Sequence, residues 1–191
     1  PLLGTISRRS MLEIIRKGAS PERVATGFKR TTLDTLLYLG TSIFTGRVSF
    51  NDLPLNVQAD IKHCFKSYRE ACARADRLLA KIRDDTYIRG AMRNSPGKLT
   101  ASALYVHRRA VPKIPVVLRL YEYCGFIAAG RPEGWNILKL DHRGRRVSWS
   151  SYPEFDTNPH PTLDWTYGVE MTSLEGSLQR FGDRSNRPLL H

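Results

Sequence analysis

Hydrophobic periodicity in this chain switches at Asn94-Ser95-Pro96-Gly97, and the switch limits the folds open to it. Before that turn-rich stretch, apolar residues recur every three or four positions; beyond it they fall into short runs bounded by turn residues. The expected class is α+β: a helical N-terminal half followed by a small antiparallel β meander with a packed helix. In domain terms, residues 1–95 form a helical region and 96–191 an α+β region that shares its core. A chain of 191 residues with 41% hydrophobic side chains can fill such an interior.

Within the first half, Ser20-Pro21-Glu22 has the form of a helix start, with a capping hydroxyl ahead of an N-terminal proline. From Thr31 to Phe44, Leu33, Leu36, Leu37, Leu39 and Ile43 predict a second, well-buried helix stopped near Gly46. The longest expected element runs from Pro54 to Ile82, with Asp52 as a capping carboxylate. Val57, Ile61, Cys64, Phe65, Tyr68, Ala71, Ala75, Leu78 and Ile82 form its apolar stripe. One helix of that length would reach roughly 40 Å. Lys62, Lys66, Arg69 and Arg77 lie off the stripe, either as a solvated face or as a face that tracks phosphates. Cys64, Cys72 and Cys124 form no CxxC pair and read as small core hydrophobes rather than metal ligands.

After the turn, Ala103–His107 predicts a strand and Pro115–Ala129 a helix bearing Val116, Leu120, Tyr123 and Ile127 on one face. Trp135–Leu140 and Arg146–Tyr152 predict strands joined through Asp141-His-Arg-Gly-Arg145, and 165–171 and 174–181 add two more. The longest apolar stretch, Ile114 to Gly130, is interrupted by Arg119 and Glu122 and is too short for a membrane span. No signal-peptide core follows Arg8 and Arg9, so a cytoplasmic setting away from membranes is expected. Pro1 in place of Met is what a fragment or processed product would show.

Net charge is +12. Residues 1–50, 51–100 and 101–150 carry +5, +4 and +6, while 151–191 carry −3. That asymmetry favours a polyanionic partner, nucleic acid above all. A hairpin tip with His142, Arg143, Arg145 and Arg146, and Lys139 just upstream, could reach phosphates, with Trp135, Trp149 and Tyr152 able to stack on bases; equally, the aromatics are core and the arginines solvated. Arg108 and Arg109 extend the basic set.

Candidate chemistry is confined to a few residues. Tyr105 and His107 share one strand face, and a histidine there could hold a phosphate or move a proton. In Tyr152-Pro-Glu-Phe-Asp156-Thr-Asn-Pro-His160-Pro161, two prolines bracket His160 and Asp156 is placed to orient its imidazole. Glu122 completes a possible catalytic set of Tyr105, His107, Glu122, Asp156 and His160. Each of these also fits a structural hydrogen-bond network. No P-loop, HExxH, GxSxG or Gly-rich strand-to-helix turn occurs, so no cofactor and no metal are expected in this chain.

These segments resemble the region downstream of the catalytic domain in DNA phosphorothioation-associated methyltransferases. The resemblance runs from Thr32 to the C-terminus. It rests on Asp34-Thr-Leu-Leu-Tyr38, Asp52-Leu-Pro54, Gln58-Ala-Asp-Ile-Lys62, Ser67-Tyr68, Ala71-Cys72, Ala75-Asp76, Gly97-Lys98-Leu99 and Ala103–His107. It continues through Leu118-Arg119-Leu-Tyr-Glu122, Asn136, Lys139, Ser148, Tyr152-Pro153, Phe155-Asp156, Pro159-His160-Pro161 and Asn186-Arg-Pro-Leu-Leu-His191. It implies a bacterial role in DNA modification, restriction or antiphage defence, with DNA, including phosphorothioate-modified DNA, as partner. Other modification or defence proteins are further partners it implies. S-adenosylmethionine is implied only for an upstream methyltransferase domain.

Three functions stay open from sequence. Foremost is a nucleic-acid-binding, target-recognition part that presents substrate to a methyltransferase. A nuclease- or transferase-like enzyme using the Tyr/His/Asp site is the alternative, and a protein-interaction scaffold is the third.

Overall fold

The computed structural model of the protein describes Gly18, residues 20–142 and residues 145–181. Arg143 and the Asn186–His191 motif lie outside the described residues. The chain is α+β, with helices up to Ala129 apart from two short strands, and a six-stranded antiparallel meander whose last four strands follow.

Helix α1 spans Pro21–Ser42, with Ser20 Oγ accepting from the Arg23 backbone N–H at 3.3 Å. Where a second helix was expected to begin near Thr31, the helix runs on unbroken. Thr32 and Thr35 donate their hydroxyls to the Phe28 and Thr31 carbonyls one turn back, which keeps them compatible with helix. Nor is α1 well buried along that half. Leu36, Leu39 and Gly40 are covered, whereas Ile43, just past its end, is 43% exposed. A 3-10 turn, Ile43–Thr45, leads to Gly46 at φ 84°, a left-handed position suited to glycine.

The single long helix expected from 54 to 82 is two helices, α2 (Leu55–Cys64) and α3 (Tyr68–Ala80). Phe65 and Ser67 are extended between them. The cause is local: Ser67 Oγ accepts from Glu70 N at 3.1 Å, and Glu70 Oε2 accepts from Lys66 N at 2.8 Å. This reciprocal capping resembles a capping box and makes a new helix start favourable. Asp52 does not cap α2; its carboxylate accepts from Ser49 Oγ at 2.6 Å. Arg47 ties α1 to α3, donating to the Leu39 carbonyl and, bidentately, to Asp76 at 2.6 and 3.0 Å. Leu36, Leu39, Leu53, Val57, Ile61, Phe65, Ala71 and Ala75 form the core of this three-helix layer.

Helix α4 (Asp85–Arg93) starts at Asp84, which accepts from Tyr87 N at 3.0 Å. That backbone bond, reinforced by Lys81, holds the Asp84 carboxyl below its ordinary pKa. Ile88 and Met92 of α4 pack in the sheet's core.

The strands are β1 (Lys98–Leu99), β2 (Ala103–His107), β3 (Ile137–Asp141), β4 (Arg146–Ser151), β5 (Trp165–Glu170) and β6 (Gly176–Arg180). They pair antiparallel in sequence order. Helix α5 (Val116–Ala129) lies between the three-helix layer and the sheet. Two glycines permit its close approach on both sides. A Cβ on Gly40 of α1 would press on Leu120, and one on Gly125 would stand 3.0 Å from Val147 Cβ. Being squeezed from two directions, α5 buries Val116, Val117, Leu118, Leu120, Tyr121, Glu122 and Gly125. The single apolar face expected of it is therefore corrected: Tyr123 is half-buried and Ile127 is 42% exposed.

Register sorts the sheet into two faces. Leu104, Val106, Leu138, Leu140, Val147, Trp149 and Val169 face α5. Tyr105, His107, Lys139, Arg146, Ser148, Ser150 and Thr166 alternate with them and face away.

Candidate functional site

The outward sheet face gathers several of the candidate residues. Tyr105 pairs in register with Lys139, whose Nζ lies 5.6 Å from the Tyr105 ring centroid. His107 closes β2, and its Nδ1 accepts from Arg109 N at 3.3 Å, so the imidazole caps the following 3-10 turn. The His107 ring stacks on Phe155 at 5.0 Å and 19°. Arg109 reaches Asp156 at 3.3 Å, but with the two side chains 79% and 59% exposed this ion pair adds little stability. Tyr152, buried beside Phe155, has its hydroxyl pKa raised by desolvation and then by the nearby Tyr105.

The structure thus brings Tyr105, His107, Arg109, Lys139 and Asp156 to one region. Glu122 is not with them. It sits on α5, on the opposite side of the sheet, accepting from Trp149 Nε1 at 3.0 Å and from Arg131 Nη1 at 2.7 Å. A carboxylate held by two donors behind the sheet cannot share a reacting atom with His107. His160 is exposed, with its backbone N–H donating to Asn158 at 2.9 Å. The described ion pair of Asp156 is with Arg109. No group of three or more His, Cys, Asp or Glu side chains suited to a metal occurs among the described residues.

Of the two readings open for three aromatics, burial favours core over base stacking. Trp149 is fully buried, Trp135 is 6% exposed and Tyr152 is 8% exposed. Trp149 stacks on Tyr167 at 6.2 Å, and the Trp135 ring has the Arg108 and Arg131 guanidiniums at 5.3 and 5.7 Å. These rings serve the interior and its edges.

Hairpin arginines diverge. Arg145, at φ 51°, turns toward the helices and donates to Asp85 and the Arg83 carbonyl at 3.3 and 3.4 Å. Arg146 takes the outward face, donating to Glu170 at 2.8 Å and Ser177 at 3.0 Å. Its guanidinium lies over Gly168, where any Cβ would collide with it.

Lys62, Lys66 and Arg69 present a different picture. All three are exposed around the Phe65–Ser67 connection, and none has an acidic partner among the described residues. Lys62 Nζ rests 5.5 Å from the Phe50 ring, a contact that leaves its charge available. The sequence signal for this junction is Ser67-Tyr-Arg-Glu70, which marks a helix start inside an otherwise continuous apolar stripe.

No family model matches the chain, and no curated protein or solved structure matches it. No helix among the described residues is long and apolar enough to cross a membrane. The described sheet is antiparallel throughout.

Proposed function

We propose that this protein is a nucleic-acid-binding module, with the α2–α3 pair as its contact surface and DNA as its partner. The observation that carries the proposal is the short α2–α3 connection, flanked by Lys62, Lys66 and Arg69 without described acidic partners. Two helices joined by a short turn, braced by a third, can set the start of the second helix against a phosphate backbone or groove. Cations already satisfied by carboxylates lose much of that capacity, which favours α3 over the hairpin.

By its resemblance to DNA phosphorothioation-associated methyltransferases, the module would act in the bacterial cytoplasm in DNA modification or antiphage defence. It would present DNA, plain or phosphorothioate-modified, to a methyltransferase domain carried elsewhere.

The test is binding of the full chain to plain and phosphorothioate oligonucleotides, duplex and single-stranded, across a salt series. Affinity is expected to fall steeply with salt as bound phosphates release counterions. Undetectable binding at low salt would overturn the proposal. Equal affinity for both DNA types would remove the sulfur-specific part alone.

A second reading has one observation in its favour. A groove of about 1810 Å³ runs between α1, α4 and the segment before α5, with Leu33, Leu37, Tyr38 and Tyr87 among its apolar lining. Such a surface suits a protein partner, in which case the molecule is a scaffold among modification or defence proteins.

A further inference from the structure

Helix α3 packs Ala71 and Ala75 into the core it shares with α1, and both are fully buried. At about 3.6 residues per turn, Arg69, Ala73 and Arg77 fall on the opposite side of the cylinder. Arg69 and Arg77 are exposed there, and neither side chain has a hydrogen bond, ion pair or ring contact among the described residues. Two features keep them so. No acidic residue stands three or four positions from either arginine, so the usual helical partners are missing. The two acids that border the stripe are held by other groups. Glu70 accepts from Lys66 N and lies 3.9 Å from Arg74, and Asp76 is clamped by Arg47.

We infer that α3 is a recognition helix for the major groove of duplex DNA, in which Arg69 and Arg77 read guanines. This rests on the reading of the α2–α3 pair as a DNA contact and names the form of nucleic acid and the bases. A helix about 10–12 Å in diameter fits a groove about 12 Å wide. Ala73 between the arginines keeps the helix backbone close to the groove floor, where a long side chain would hold it off. Each guanidinium fork matches the O6 and N7 acceptors that guanine presents side by side. Arg69 and Arg77 stand about 12 Å apart along the axis, which spans between three and four base pairs at about 3.4 Å each. The expected site therefore holds two G·C pairs about two or three base pairs apart. Lys66 in the connection and Lys62 near the end of α2 lie beyond the N-terminal end of the stripe. There they meet the phosphates that border the groove, so the lysines position the helix and the arginines specify the sequence. Single strands present no such groove, and the narrow major groove of duplex RNA excludes a helix.

The experiment selects duplexes from a randomised DNA library with the full chain, then compares a selected duplex with an unselected one. Enrichment of two guanines at that spacing is expected. Replacing either by 7-deazaguanine, which lacks the N7 acceptor, should weaken binding by about fivefold or more. R77K keeps the charge and loses the fork. It should weaken the selected duplex by about tenfold and leave the unselected one within about twofold. R93K, at an exposed position on α4, should change neither. Binding of unselected duplex at low salt with no sequence enriched would overturn the recognition helix and leave the α2–α3 pair as a DNA contact. So would indifference to 7-deazaguanine, or an R77K loss equal on both duplexes. Failure to bind any DNA at low salt would overturn both.

Discussion

On the sheet side of the molecule, Arg109, Arg131, Arg145 and Arg146 each have a carboxylate within 3.3 Å. On the helical side, around the α2–α3 connection, Lys62, Lys66 and Arg69 have none described. Residues 101–150 have the largest segmental charge, +6, yet their described arginines are largely engaged in ion pairs and ring contacts. Net charge along a sequence therefore does not report charge available to a partner. In the meander, neighbouring strands bring residues distant in sequence to within cross-strand reach, as Arg146 meets Glu170. On short helices, neighbours three and four positions away decide the pairing, and around the connection they leave three cations over.

The comparison is most exposed to a change at Glu122. E122A strips Trp149 Nε1 and Arg131 of their shared acceptor and should cost about 3 kcal/mol, measured as a lowered urea midpoint at unchanged m-value. A loss below about 0.5 kcal/mol would mean that this side of the molecule is not a closed network. Next in size is a binding contrast. K62A/K66A/R69A should reduce the slope of log affinity against log salt by about 2 to 3. R145A/R146A should leave that slope unchanged. If the hairpin variant alone moved it, the assignment of free and engaged cations would be inverted.

Helix α5, between the two regions, offers a third probe. Burial pushes the Cys124 thiol up to about 11 from 9.0. Its folded pKa exceeds the unfolded one, so the stabilising contribution is complete below 9 and is lost as pH rises from there through about 11. Unfolding midpoints between pH 8 and 11 should therefore fall more steeply for the wild type than for C124A. Identical slopes would mean that α5 does not shield this thiol. The smallest effect is expected at Arg146. R146A should cost less than about 1 kcal/mol, as a half-exposed ion pair does. A double-mutant cycle with E170A separates that pair from the contact with Ser177.

Much of the fold was legible in the residues. The period change near Asn94–Gly97, the Ser20 cap, the strand at 103–107 and the order of the four later strands all follow from local pattern and turn chemistry. The break at Phe65–Ser67 was less visible, because the apolar stripe keeps helical spacing straight across it while only Ser67 and Glu70 mark the restart. Among candidate site residues, Tyr105 and His107 share a face as strand alternation requires.

By itself the sequence determined the change from a helical half to a strand-rich half and the order of the later strands, because those preferences rest on periodicity and caps within a few residues. Helix α4 and strand β1 were not read from it. Tertiary structure alone decided which charges and aromatics remain usable. Placing Glu122 beneath Trp149, and Arg145 and Arg146 on opposite faces, depends on packing α4 and α5 against one particular sheet face. Such contacts join residues tens of positions apart, and no local preference encodes them.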